Sequence, residues 1–280
     1  MDELRDIEPL LRAGEGFSLA AVDPASTPGF SGGKKHGVLA LAEGVDELAE
    51  LQEKLYAAAK GGDTRRVLLV LQAMDTAGKG GIVGHVVGSV NPYGVHIAAF
   101  TAPTDEEKQH DFLWRIRKQL PAPGVLGVFD RSHYEDVLVH RVRRFSTPEV
   151  IEQRYGLIVD FERALVGAGT TVLKVMLHIS PEEQKARLEA RLDDPSKHWK
   201  FNPGDLDDRA LWPDFMQAYQ IAIARTTTDA APWYVVPADH KWYARLAVQQ
   251  LLIGALRRLK QDWPLADYDV AEQRARLAAE

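Results

Sequence analysis

The chain contains no cysteine. That excludes a disulfide framework, a thiolate metal site and a cysteine nucleophile, and it agrees with a reducing compartment such as the cytoplasm. It has no apolar run of the roughly 20 residues needed to cross a bilayer, so no membrane role is expected. Positive charge is not in excess either: 34 Lys and Arg stand against 40 Asp and Glu, a formal net charge of −6. A nucleic-acid-binding surface needs the opposite balance. A polyanionic ligand would therefore need a local basic channel set against the overall sign. The first residues, Met1-Asp2-Glu3-Leu4-Arg5-Asp6, are acidic and mixed and do not read as a secretory signal.

What is present is an ordinary globular composition over 280 residues, 45% hydrophobic and 26% charged. The length is large for one domain and suits an elaborated α/β kinase core. The chain is organised around residues 67–81, Val-Leu-Leu-Val-Leu-Gln-Ala-Met-Asp-Thr-Ala-Gly-Lys-Gly-Gly. The apolar run Val67 to Leu71 suits a strand buried on both faces. A loop with Gly78 follows, then Lys79, then a stretch from Ile82 to Val90 that can be helical. Strand, glycine turn, lysine and helix is the order of a phosphate-binding loop, in which backbone N–H groups and a lysine converge on phosphate oxygens. The match to G-x-x-x-x-G-K-[ST] is partial. Ala73 stands where the first glycine is usual, and Gly80 stands where a magnesium-binding hydroxyl is usual. Asp75 can supply an oxygen ligand instead. The plainer alternative is a tight strand-to-helix turn with a surface lysine.

A second stretch favours the phosphate loop. Gly124-Val-Leu-Gly-Val-Phe-Asp-Arg131 is another apolar strand ending in Asp130. An acid at the end of a neighbouring strand holds the metal in phosphate-loop enzymes, and Arg131 places a fixed cation beside it. Glu135 and Asp136 follow closely. They read either as further site acids or as acids at a surface helix start.

The remaining segments alternate. Residues 1–42 read as an N-terminal arm broken by Pro24, Pro28, Gly29, Gly32 and Gly33. Lys34-Lys35-His36 within it is either a solvated charge cluster or a phosphate contact. A helix is expected from Glu43 to Lys60, another from Thr104 to just before Pro121, and a third from Thr147 to about Val166. His110 and Asp111, on the second of these, are read as packing or capping residues rather than chemistry. A charged helix opens at Ser180-Pro181, one continuous helical region is expected over Leu206 to Thr228, and a last long helix runs from Asp239 to about Lys260. Strand candidates fall at 67–71, 95–100, 125–130, 171–179 and 233–236. Strands alternating with helices predict a parallel sheet with helices on both faces. The insertion at 181–205 sits where a lid would, inside a catalytic domain over 43–262, with 263–280 as a tail. Arg187 and Arg191 are four apart and share one helix face. They suit either one phosphate chain or ion pairs with Glu183 and Glu189.

Four motifs now stand in order: Ala73-Met-Asp-Thr-Ala-Gly-Lys-Gly-Gly81, Asp130-Arg-Ser-His-Tyr-Glu-Asp136, Lys197-His-Trp-Lys-Phe-Asn202 and Pro232-Trp-Tyr-Val-Val-Pro-Ala-Asp239. Together they resemble the second polyphosphate kinase family, and most closely its class III subgroup, which uses both AMP and ADP. The resemblance runs from about residue 20 to 260. It implies a fold like that of thymidylate kinase, a P-loop kinase with a five-stranded parallel sheet and a helical lid. It implies inorganic polyphosphate as donor, AMP or ADP as acceptor, ADP or ATP as product, a reversible reaction, Mg²⁺ or Mn²⁺, and a homo-oligomer, dimer or tetramer. By the resemblance, Asp75 and Asp130 bind metal, while Lys79 and Arg131 act at the transferred group. Ala77, Gly78, Lys79, Gly80 and Gly81 cradle phosphate, Arg187, Arg191 and Lys200 are the lid cations, and Glu135 with Arg131 faces the nucleotide. The rival within the same fold is an ATP-dependent nucleotide or metabolite kinase. A long-chain donor needs a long basic groove, which Lys34, Lys35 and the lid cations would then line.

Overall fold

Val67 to Leu71 are fully buried, as a run with no polar break demands of a strand covered on both faces. In the computed structural model, which describes residues 5–280, this strand is the centre of a five-stranded sheet of order β2-β3-β1-β4-β5. Met1 to Leu4, the start of the acidic N-terminal stretch, lie outside the described residues. In chain order the elements are α1 (Glu8–Leu11), α2 (Lys34–Lys60), β1 (Arg66–Ala73), α3 (Lys79–His85), β2 (Val95–Ala99), α4 (Trp114–Arg117) and β3 (Leu126–Asp130). They continue as α5 (Val139–Val142), α6 (Pro148–Gly167), β4 (Thr170–His178), α7 (Pro181–Asp193), α8 (Gly204–Ala210), α9 (Trp212–Thr226), β5 (Trp233–Pro237), α10 (Lys241–Leu259) and α11 (Val270–Ala278). Every strand pairing is parallel, with Leu71 opposite Asp130 and Val175. The loops that follow β1 and β3 therefore leave the sheet at the same edge, where open α/β sheets bind ligands.

Three helices differ from the sequence reading. Helix α2 starts at Lys34 rather than Glu43, so Lys34-Lys35-His36 forms its first turn and not part of a loose arm. Helix propensity argues against that start, because Gly37 and Gly44 interrupt it. Packing decides otherwise. A Cβ at Gly37 would lie 2.2 Å from the Trp242 ring, and one at Gly44 would lie 2.5 Å from Gln249 Oε1. Both glycines let α10 approach α2 closely.

The stretch expected as one helix from Thr104 is broken. Its capping box does form: Thr104 N–H donates to Glu107 Oε2 at 2.8 Å and Glu107 N–H to Thr104 Oγ1 at 3.2 Å. Only a 3₁₀ turn follows, and His110 is extended. His110 stacks on Trp114, and Asp111 pairs with Arg117, so both have packing roles. The region from Leu206 to Thr228 is likewise two helices. Pro213 lies in the first turn of α9, where its missing N–H costs nothing but would break a continuous helix. The tail after 263 carries the exposed helix α11. Among the described residues no helix is long and apolar enough to cross a membrane.

Candidate active site

The chain leaves β1 at Ala73 and turns through Met74-Asp75-Thr76-Ala77-Gly78 into α3. Two of these residues have positive φ, Thr76 at 66° and Gly78 at 125°. The value at 78 is one that side chains rarely adopt, which explains the glycine. Gly81 N–H and Ile82 N–H both return to Gly78 O, at 2.8 and 3.1 Å, closing the first turn of α3. Lys79 folds back over the loop: it is nearly buried and its Nζ donates to Ala73 O at 3.3 Å. Nothing stands near a Cβ at Gly80, whereas one at Gly81 would lie 3.5 Å from Arg245 Nη2.

The turn after β3 meets this loop. Asp130 closes the strand, half-buried, with its carbonyl accepting from Phe100 N–H at 3.0 Å. Arg131 takes φ 64°, and its N–H donates to Leu71 O at 3.0 Å. Its Nη2 donates to Asp75 Oδ1 at 2.8 Å. Burial alone would lower the arginine's pKa, but the carboxylates of Glu135 and Asp75 outweigh burial and raise it. Glu135 lies in the same cluster. Burial pushes its carboxyl up, against the opposing pull of Arg131 and Lys79. The structure thus gathers Asp75, Lys79, Arg131 and Glu135 around one point.

The backing of this turn is a buried network that the sequence reading missed. Ser132 Oγ accepts from Gln72 Nε2 at 3.1 Å and from Tyr134 N–H at 3.2 Å. Tyr134 OH donates to Glu162 Oε1 at 2.8 Å and contacts Thr226 Oγ1 at 2.9 Å. Lys174 Nζ donates to Glu162 Oε2 at 2.6 Å and Thr226 O at 2.7 Å. Thus β4, α6 and α9 all hold the turn from below. Gln72 and Lys174, polar residues inside the apolar runs of β1 and β4, were the available signal.

The lid arginines part company. Arg187 was expected to reach phosphate, but every N–H-bearing nitrogen of its guanidinium is engaged. Nε donates to Glu183 Oε1 at 2.7 Å, Nη1 to Thr76 O and Ala77 O at 3.0 and 2.9 Å, and Nη2 to Ala238 O and Asp239 O at 2.7 and 2.8 Å. The buried fork has no donor free for a phosphate in this structure, and it makes the ion pair with Glu183 that the four-residue spacing also allowed. Arg191 donates to Lys200 O at 3.1 Å and lies 3.4 Å from Asp205 Oδ2. Lys200 rests its Nζ over the exposed Trp199 ring, at 4.8 Å. Asp205, which the sequence reading did not single out, is buried at the start of α8. Its carboxyl is pushed up to about 6, by burial first and then by Asp75.

A groove of about 730 Å³ runs beside the loop, lined among others by Ser26, Thr27, Lys34, Lys241, Trp242 and Arg245. Lys35 and the lid cations are not among its lining residues, contrary to expectation; Lys241 and Arg245, four apart on α10, take their place. Glu183 and Asp239 also line it, but Glu183 is paired with Arg187, and Asp239 Oδ1 accepts from Ser180 N–H at 2.8 Å. Burial first and then Arg187 lower the pKa of both Lys241 and Arg245. These cations are crowded, and an anion would relieve them.

Among the described residues no three His, Cys, Asp or Glu side chains cluster to form a self-sufficient metal cage. One or two carboxylates completed by substrate phosphates and water is the usual setting for Mg²⁺, and the hard oxygens of Asp75 and Asp130 fit it.

A parallel sheet of this order, a glycine loop with a buried lysine after its central strand and an Asp-Arg pair after the neighbouring strand define a phosphotransferase of the P-loop kinase fold. The chain belongs to the polyphosphate kinase 2 family, whose model, Polyphosphate kinase 2 (PPK2), matches residues 33–264. It is similar to the AMP/ADP-polyphosphate phosphotransferase of Meiothermus ruber, with 47% identity over 248 residues, 89% of this chain and 91% of that one. It is also similar to the ADP-polyphosphate phosphotransferase of Rhodopseudomonas palustris, with 39% identity over 257 residues and 86% of each chain. The crystal structure of polyphosphate kinase 2 from Arthrobacter aurescens TC1 superposes with a TM-score of 0.98 at 59% identity, covering 100% of this chain and 99% of that one.

Proposed function

We propose that this chain moves a phosphoryl group between inorganic polyphosphate and AMP or ADP. The crowded cations Lys241 and Arg245 in the groove, with Arg245 adjoining Gly81 of the phosphate loop, carry this reading. They give an extended polyanion a track that ends at the loop. ATP has only a short phosphate chain and leaves such a track mostly unfilled.

Phosphoryl transfer asks a protein for alignment and charge neutralisation rather than covalent chemistry. The loop from Ala77 to Gly81 cradles the donor's terminal phosphates through backbone N–H groups. Lys79 and Arg131 neutralise charge on the group in flight. Glu135, facing Arg131 and Lys79, orders the acceptor side. Asp75 and Asp130 would hold a divalent cation, Mg²⁺ or Mn²⁺, which when bound would supply positive charge to neutralise the phosphates. No general base is needed, because an acceptor phosphate oxygen is already anionic. Arg191 and Lys200 on the lid approach the phosphates when the lid closes and excludes water. The names of the similar proteins support both AMP and ADP as acceptors. A cytoplasmic homo-oligomer, dimer or tetramer, goes with this reading.

The test is a coupled luciferase assay with purified protein, Mg²⁺ and long-chain polyphosphate, run separately with AMP and with ADP. ATP from both supports the class III acceptor range, and ATP from ADP alone points to diphosphate preference. No ATP from either, and no ADP from AMP by chromatography, would sink the reading and leave an ATP-dependent kinase.

A further inference from the structure

Three carbonyl oxygens of the phosphate loop accept from side chains outside it. Asp75 O accepts from Gln184 Nε2 at 3.2 Å, and Thr76 O and Ala77 O accept from Arg187 Nη1 at 3.0 and 2.9 Å. Both donor residues stand on α7, the first helix of the lid. Across a trans peptide the C=O and the following N–H point in opposite directions. Turning these three carbonyls toward α7 therefore turns the N–H groups of Thr76, Ala77 and Gly78 away from it. Ala77 N–H meets Met74 O at 3.3 Å, and by the same peptide geometry the other two point away from α7.

Both side chains are locked in place. Gln184 is fully buried, and its Oε1 accepts from Arg209 Nη1 of α8 at 3.1 Å. Arg187 is buried too. Its Nη2 is held by Ala238 O and Asp239 O, past the end of β5. The loop is thus tied to the start of α10 through one guanidinium. The tie matters because Thr76, at φ 66°, is strained and would not keep this shape unaided.

We propose that Gln184 and Arg187 are positioning residues for the phosphoryl transfer: they hold the loop's peptide planes so that its N–H groups stay turned toward the donor phosphate, and Arg187 itself does not touch phosphate. This rests on the functional reading above. It requires the planar five-donor fork and not merely positive charge, so lysine does not substitute for the arginine.

The experiment compares the full-length wild type with Arg187→Lys, Arg187→Gln and Gln184→Met. Amide hydrogen exchange is followed at residues 75–81 without substrate or metal. Turnover is followed with polyphosphate and ADP over a range of salt. Exchange of the Ala77 and Gly81 amides, which donate to Met74 O and Gly78 O within the loop, should rise about tenfold in the arginine variants, as expected when a brace on those hydrogen bonds is lost. Lysine and glutamine should both lower kcat, by about tenfold to a hundredfold. The salt dependence of the polyphosphate KM should stay parallel to that of the wild type. Near wild-type kcat in Arg187→Lys, or a salt slope reduced by about one as for a lost phosphate contact, would overturn the proposal. Should the arginine variants fail to fold, Gln184→Met decides alone: faster exchange at Ala77, whose N–H donates to Met74 O, supports the proposal, and unchanged exchange overturns it. A wild type inactive with polyphosphate would refute the functional reading and leave the exchange result standing.

Discussion

Arg131 donates from Nη2 to Asp75 Oδ1 at 2.8 Å, tying the turn after β3 to the loop after β1. The candidate metal acid is thus held by a cation from a neighbouring strand. A divalent ion arriving with the phosphates must share Asp75 with that guanidinium. The carboxylate left with its full charge for the metal is then Asp130. Asp130→Asn should lower metal-dependent turnover by at least about a hundredfold, since one charge at the transferring group is worth several kcal/mol. Its unfolding midpoint should stay near that of the wild type. Wild-type rates at saturating Mg²⁺ would remove Asp130 from the metal set.

Arg131→Lys keeps the charge and loses the fork. Arg131 must reach Asp75 from a left-handed backbone while lying in the field of Glu135. A single ammonium cannot serve both carboxylates in that geometry. A fall of about a hundredfold in kcat is expected, with a smaller change in the KM for ADP, measurable by steady-state kinetics at fixed polyphosphate.

The pair Lys174–Glu162 lies at full burial beneath the turn that carries Arg131 and Glu135. Burial favours the neutral acid, but Lys174 and His133 outweigh it and hold Glu162 below the ordinary carboxylate range. Its contribution to stability is therefore present above the usual carboxylate pKa and lost only as pH falls below it. Removing one partner strands a buried charge, so Lys174→Met should cost about 3–5 kcal/mol in urea unfolding. Adding Glu162→Leu should recover part of that loss. A single variant as stable as the wild type would show that the network contributes nothing.

Asp205 gives the opposite pH sign. Its carboxyl is pushed up to about 6 in the folded chain, against an unfolded value near 4. Between about 4 and 6 the native state binds more protons than the unfolded one. The stability this group contributes is thus full below about 4 and lost as pH rises through 6. Asp205→Asn, which removes the buried charge, should be more stable than the wild type by about 1 kcal/mol at pH 7.5. The gap should close toward pH 4.5. Urea midpoints at the two pH values check it, and a gap that widens in acid would refute it.

Gly37→Ala pits two terms against each other. Alanine improves helix propensity by about 1 kcal/mol. Its Cβ would sit 2.2 Å from the Trp242 ring, and overpacking of that kind costs about 1–3 kcal/mol. A net loss of about 1 kcal/mol is expected. Because Trp242 lines the groove, the KM for polyphosphate should rise while the KM for ADP stays level.

The strands were legible to within a residue or two, because a central parallel strand such as Val67 to Leu71 has no polar break to hide it. The phosphate loop and the Asp130–Arg131 pair were legible because each must sit at a strand end with particular residue types. What escaped was whatever depended on a distant partner. Gly37 and Gly44 weaken a helix on paper, and only the approach of α10 explains them. Arg187 was a lid cation by its sequence position, and only the carbonyls of Thr76, Ala77, Ala238 and Asp239 show how its donors are used. Lys241 and Arg245 looked like part of an ordinary helix start, since nothing local says which way they face.

The groove and the net charge of −6 together have a kinetic consequence. A polyanion approaching this molecule meets a net negative charge overall and, under the proposed function, should be drawn in along one strip near Lys34, Lys241 and Arg245. Added salt weakens that attraction and the surrounding repulsion at once, because both decay over about 8–10 Å at physiological ionic strength. Capture of a long chain should then depend on ionic strength less steeply than it would on a uniformly basic protein with the same three contacts. The acidic exterior acts as a gatekeeper, making wrong landings brief without closing the right one.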